Sequence, residues 1–142
     1  MPGVWFFSLD ATNVPVVLVA RAWYGLPYWK ARMEVCEEEG RVSYDSERIA
    51  PGSAPAVFHA RYAPSGREFR AQPGTLEHFL AERYCLYAPA RGGGLARAEI
   101  LHAPWGLRAA RGTIRGNSMA AATGFALRPD PPFRHRRPAP GP

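Results

Sequence analysis

Gly25-Leu26-Pro27-Tyr28-Trp29-Lys30 separates a helix from a strand, and the chain can be read outward from it in both directions. Upstream, Asn13 is suited to cap a helix, Pro15 is tolerated in a first turn, and Gly25 supplies a stop. Together they predict a helix from about Val14 to Tyr24. Downstream, Tyr28 to Glu37 reads as extended, and Arg41 to Ile49 repeats the pattern after Glu38-Glu39-Gly40, so a β-hairpin is expected. In the second arm Val42, Tyr44 and Ser46 share one face while Ser43, Asp45 and Glu47 share the other. One face is therefore the more apolar.

Further out, Val4-Trp5-Phe6-Phe7-Ser8-Leu9 is a short apolar run with the look of a buried strand ending at Asp10. Pro51-Gly52-Ser53-Ala54-Pro55 reads as a loop, and Ala56 to Ala63 as another strand. Thr75 can cap a short helix from Leu76 to about Arg83, with Glu77 near its positive end. Tyr84 to Ala88 and Leu95 to His102 are expected to form a second hairpin around Arg91-Gly92-Gly93-Gly94. That glycine run lacks the Gly-Lys-Ser/Thr continuation of a phosphate-cradling loop. Ala109 to Arg115 supplies a last strand, and Asn117 or Ser118 can cap a short helix to Thr123, stopped by Gly124. About seven strands and three short helices, without strand-helix alternation, predict a β-rich α+β fold. No internal repeat is visible. After Leu127 the chain carries Pro129, Pro131, Pro132, Pro138, Pro140 and Pro142, so residues 1–127 are expected to form one domain and 128–142 a disordered tail.

The composition bounds the rest. A chain of 142 residues with 46% hydrophobic content supports one core. Val14 to Trp23 is broken by Pro15 and Arg21 and is too short to cross a bilayer. The Met1 end lacks the pattern of a signal peptide, so a cytoplasmic location is expected. Cys36 and Cys85 belong to no metal or redox spacing and are read as two buried thiols. Of the net charge of +6, the tail's Arg128, Arg134, Arg136 and Arg137 against Asp130 supply +3. The remaining charges are interspersed, which argues against a nucleic-acid footprint. His59, His78, His102 and His135 have no metal-ligand spacing, and Ser8, Ser65 and Ser118 sit in no nucleophile elbow. No cofactor or metal is expected.

Pro2 to Ala11, Tyr24-Gly25-Leu26-Pro27-Tyr28, Leu76-Glu77-His78-Phe79-Leu80 with Glu82-Arg83-Tyr84, and His102-Ala103-Pro104-Trp105 together resemble one family. It is the YqjF-like family, domain of unknown function 2071, of the acetoacetate decarboxylase-like superfamily. The resemblance covers about residues 2–126. It implies a mainly antiparallel, strongly curved sheet or partial β-barrel enclosing a pocket, on which function must be argued from the site. In that family the Gly-Val-Trp-Phe-Phe strand follows a substantial earlier portion of the domain, whereas here it begins beside Met1. The resemblance therefore implies an N-terminally truncated chain with exposed sheet edges, open to pairing with a second copy. A fragment without independent function is one reading of it.

The superfamily's decarboxylases carry Gly-x-Pro-Lys-Lys, whose first lysine forms a Schiff base. Placing Gly25-Leu26-Pro27 on that pattern puts Tyr28 and Trp29 where the lysines stand, and neither side chain can form an imine. Lys30 lies two residues further along, roughly 7 Å on a strand. Schiff-base decarboxylation is thus not supported. The expected function is instead binding of a small, partly apolar and anionic molecule. Glu82, Arg83, Tyr84, His102, Trp105 and Tyr28 are its candidate lining. The alternative is an enzyme using Glu82 or His102 as acid or base on a small carboxylate or ketone. Trp5, Phe7, Trp23, Tyr28, Trp29 and Trp105 are read first as core aromatics and second as pocket walls.

Overall fold

Asn13 Oδ1 accepts a hydrogen bond from the Val16 N–H at 3.1 Å, and with Pro15 in the first turn this starts helix α1 (Val14–Ala22). A computed structural model describes residues 3–90 and 92–126. Arg91 and the tail expected over 128–142 lie outside the described residues. The strands are β1 (Val4–Trp5), β2 (Leu9–Ala11), β3 (Tyr28–Glu38), β4 (Arg41–Arg48), β5 (Val57–Phe69), β6 (Cys85–Pro89), β7 (Leu95–Glu99) and β8 (Leu107–Asn117). Helix α2 (Leu76–Ala81) and a 3-10 turn at Ala121–Thr123 complete the set. They form an α+β, β-rich fold of two sheets, ordered β1-β6-β7 and β2-β3-β4-β5-β8, which among the described residues do not close into a barrel. No helix of the described residues is long and apolar enough to cross a membrane.

The first hairpin forms as the spacing predicts. β3 and β4 pair antiparallel from Ala31↔Arg48 to Glu38↔Arg41. Glu39 (φ 51°) and Gly40 (φ 72°) close the turn with the two positive φ values of a type I′ connection, which matches strand twist. On β4 the face of Val42, Tyr44 and Ser46 is the inner one, and it also carries Arg48. Ser46 and Arg48 are buried while Asp45 and Glu47 are exposed.

The apolar run at Val4–Leu9 departs from the expected single strand. β1 pairs parallel with β6, and β2 pairs parallel with β3, so Phe6 to Ser8 carry the chain from one sheet to the other. The two halves of the run have different partners, and one extended segment cannot satisfy both. β5 also runs six residues past the expected end at Ala63. Pro64 is tolerated because it lies beyond Tyr62, the last residue of β5 paired to β4, so the strand has a neighbour on one side only. Register shifts against β8 fall between His59 and Ala60 and between Ser65 and Phe69. The outer strand β8 carries Arg108, Arg111 and Arg115, which place charge along an otherwise open edge.

β7 ends at Glu99, so His102 stands in a loop and not on the partner strand of the second hairpin. Ile100 N–H still reaches Tyr84 O at 2.9 Å, and Pro104, which has no N–H, cannot extend the ladder. The thiols also divide. Cys85 is buried, whereas Cys36 is exposed on the outer face of β3, so the expectation of two buried thiols holds for Cys85 alone; both are free. Among the described residues the buried apolar ones are Val17, Ala20, Ala31, Ala56, Cys85, Leu86 and Ala88. Most are small, and large side chains such as Leu18, Val35 and Trp23 remain exposed.

Candidate functional site

Helix α2 begins at Thr75, whose Oγ1 accepts from the His78 N–H at 3.2 Å, and it ends at Glu82. That ending sets Glu82, Arg83 and Tyr84 at the junction with β6. The Tyr84 hydroxyl donates to Glu82 Oε2. This bond, with lesser help from burial and the carboxylate's charge, raises the Tyr84 phenol above its ordinary pKa, because loss of the proton would set two anions side by side. Arg83 does not take the Glu82 carboxylate. Its guanidinium lies 4.0 Å from the Phe79 ring centroid, over the aromatic face, and it pairs with no carboxylate among the described residues.

The loop after β7 returns His102 to this junction. Its ring centroid lies 4.6 Å from that of Tyr84 and 5.0 Å from that of Trp105. His102 Nδ1 is 2.7 Å from Ala103 O, so Nδ1 carries the proton that it donates. The neutral ring then holds its lone pair on Nε2. Tyr84, His102 and Trp105 thus make one half-exposed wall, with Glu82 behind Tyr84 and Arg83 beside it in sequence.

Tyr28 is placed elsewhere. It stands at the first position of β3, stacks on Phe6 with 6.4 Å between centroids, and its carbonyl accepts from Arg21 Nη1 at 2.9 Å. The six candidates therefore resolve into a group of four, a neighbouring arginine on Phe79, and a separate tyrosine. Among the aromatics read as core, Trp5, Phe7, Trp23 and Trp105 are exposed and Tyr28 and Trp29 are half-buried.

Sequence reasoning missed a buried ion pair. Arg48 Nε donates to Asp10 Oδ1 at 2.8 Å, and Arg48 Nη2 reaches Ser8 Oγ at 3.1 Å. Both charged side chains are 2% exposed. The Arg48 guanidinium also lies 5.4 Å from the Trp29 ring, whose surroundings include Arg21 at 4.4 Å. Asp10 Oδ2 and Ser46 Oγ have no hydrogen-bond partner among the described residues. The available signal was phase: Arg48 continues the Val42, Tyr44, Ser46 face, and a charge on an inner face needs a buried partner.

A family model for DUF2071, described as an uncharacterized conserved protein, matches residues 1–139. The chain belongs to the DUF2071 family. It is similar to the Uncharacterized protein YqjF of Bacillus subtilis (strain 168), at 37% identity over 134 residues, which is 94% of this chain and 54% of that relative. The chain thus spans about half the length of the curated relative it matches. No solved structure matches it.

In this DUF2071 chain Tyr28 is stacked on Phe6, and Arg21 and Arg48 rest against Trp29. Lys30 is exposed, on the opposite face of β3 from Trp29.

Proposed function

We propose that this chain is a small-molecule-binding domain of the acetoacetate decarboxylase-like fold, without Schiff-base activity. Its ligand is partly apolar and anionic. The observation that carries this reading is the His102 ring held against both Tyr84 and Trp105, with Nδ1 occupied by Ala103 O. Such a wall offers flat apolar faces to a planar or branched ligand, while Nε2 of His102 faces a hydroxyl or, once protonated, an oxyanion. Arg83 supplies the countercharge: since Tyr84 occupies Glu82, the guanidinium is left available for a carboxylate.

Isothermal titration with benzoate and acetoacetate tests the reading. Saturable binding that weakens about tenfold in Arg83→Ala and in His102→Gln is expected, the size of one charge-assisted hydrogen bond. Affinity unchanged in both variants rejects the site. Borohydride reduction in the presence of acetoacetate should leave the intact mass unchanged; an adduct on Lys30 rejects the non-covalent reading.

A further inference from the structure

On the outer face of the five-stranded sheet, register places two rows of side chains across neighbouring strands. Cys36, Ser43, Arg61 and Thr113 form one row, and beside it lie the pairs Glu38–Arg41 on β3 and β4 and Ala63–Arg111 on β5 and β8. These residues line an open groove of about 1000 Å³, together with Glu39 and the middle-row residues Val42, Tyr62 and Gly112. Arg41 on β4 and Arg111 on β8 flank β5, where Ala63, the partner of Arg111, adds only a methyl group. Arg61 rises from the adjacent row beside both.

None of the three guanidiniums is in an ion pair among the described residues. This sets them apart from Arg32, paired with Glu47, and from Arg97, paired with Glu99, on exposed strand positions of the same protein. Three uncompensated cations within a Debye length repel one another, and an anion of more than one charge relieves that repulsion while filling several donor forks at once. Acids are present at one end only. Glu38 accepts from the Cys36 thiol at 3.6 Å, and Glu39 sits in the hairpin turn. Ser43 Oγ makes a long contact, 3.5 Å, to Cys36 O, while Thr113 Oγ1 has no hydrogen bond among the described residues.

We infer that this groove is a binding site for a small organic phosphate, with Arg61 and Arg111 gripping the dianion, Arg41 completing the countercharge, and Thr113 donating a hydroxyl. The volume exceeds that of a bare oxyanion, so the organic part extends over the sheet between the two rows. The site is independent of the Tyr84–His102–Trp105 wall: its ligand class is a dianion, and none of its residues belongs to that wall.

The test is a calorimetric titration of the full chain with phenyl phosphate and with inorganic phosphate, in constant chloride. Saturable millimolar or tighter binding of phenyl phosphate is expected. It should weaken about tenfold in Arg61→Gln and in Arg111→Gln, since each removes a charge-assisted fork. Arg115→Gln changes the net charge equally but lies outside the groove, and should stay within twofold of wild type. Arg61→Lys keeps the charge and loses the planar fork, so it should fall between wild type and Arg61→Gln. Equal weakening in Arg115→Gln would show that only net charge acts, and overturns the site. So does the absence of saturable binding in the wild type. Far-ultraviolet circular dichroism confirms that each exposed substitution leaves the fold intact, and Arg111→Gln alone decides the matter should Arg61→Gln misfold.

Discussion

Arg48 Nε lies 2.8 Å from Asp10 Oδ1, with both side chains 2% exposed, so one buried ion pair ties β4 to β2 across the width of β3. A pair this deep is costly to break from one side, because the remaining charge has lost both water and partner. Arg48→Met is expected to lower stability by about 3–5 kcal/mol, read as a lower urea midpoint by tryptophan fluorescence. Asp10→Leu combined with Arg48→Met should recover part of that loss. A single variant within about 1 kcal/mol of wild type contradicts the role given to the pair.

Gly112 lies on β8 opposite Tyr62 of β5, with no room beside it for a side chain. A Cβ there would fall 2.6 Å from Arg61 O and 2.7 Å from Tyr62 Cβ, and its backbone neighbours cannot swing aside. Gly112→Ala should therefore destabilise by about 1–3 kcal/mol, through strain and not through lost contacts. Gly116 meets only the His59 side chain, at 3.0 Å, so Gly116→Ala should cost less. Equal urea midpoints for the two variants count against this account of the β5–β8 contact.

The two thiols should behave oppositely. Cys85 is fully buried and should resist iodoacetamide until the protein is unfolded. Cys36 is exposed, yet its hydrogen bond to Glu38 and that residue's charge hold the thiol above its ordinary pKa, so it reacts slowly for an exposed cysteine. Glu38→Gln is expected to speed alkylation of Cys36 severalfold at mildly alkaline pH and to leave Cys85 silent. Labelling of both cysteines at similar rates in the native protein contradicts the assignment.

Tyr84 offers a pH test of the proposed wall. Its hydrogen bond to Glu82 raises the folded-state phenol pKa above the unfolded value, so the folded state prefers the protonated form. The stability this contributes is fully present below the ordinary phenol range and is lost as pH rises through the raised value. A spectrophotometric titration should show one phenol ionising late, and Glu82→Gln should return it toward the others. Unchanged titration in Glu82→Gln means that the hydrogen bond does not set this pKa.

Local chemistry made the helices, the first hairpin and the family readable. Asn13, Pro15 and Thr75 act within one turn of the chain, and Glu39-Gly40 fixes a register by backbone angle alone. Pairings between distant segments were less legible. Nothing in Val4 to Leu9 announces that its two ends join different sheets, because the choice depends on β6 and β3, which lie far along the chain. The candidate site divides along the same line. Glu82, Tyr84, His102 and Trp105 come together, since α2, β6 and the loop after β7 are near neighbours in sequence and space. Tyr28 stands apart on the other sheet, and the groove of Arg41, Arg61 and Arg111 needed the cross-strand register to be seen.

Ligand contact at the Tyr84–His102–Trp105 wall is tested most directly by tryptophan fluorescence during titration with benzoate. Binding at the wall predicts a saturable change in wild type that persists in Trp23→Phe and disappears in Trp105→Phe. A change that survives Trp105→Phe undiminished, or no saturable change in wild type, contradicts it.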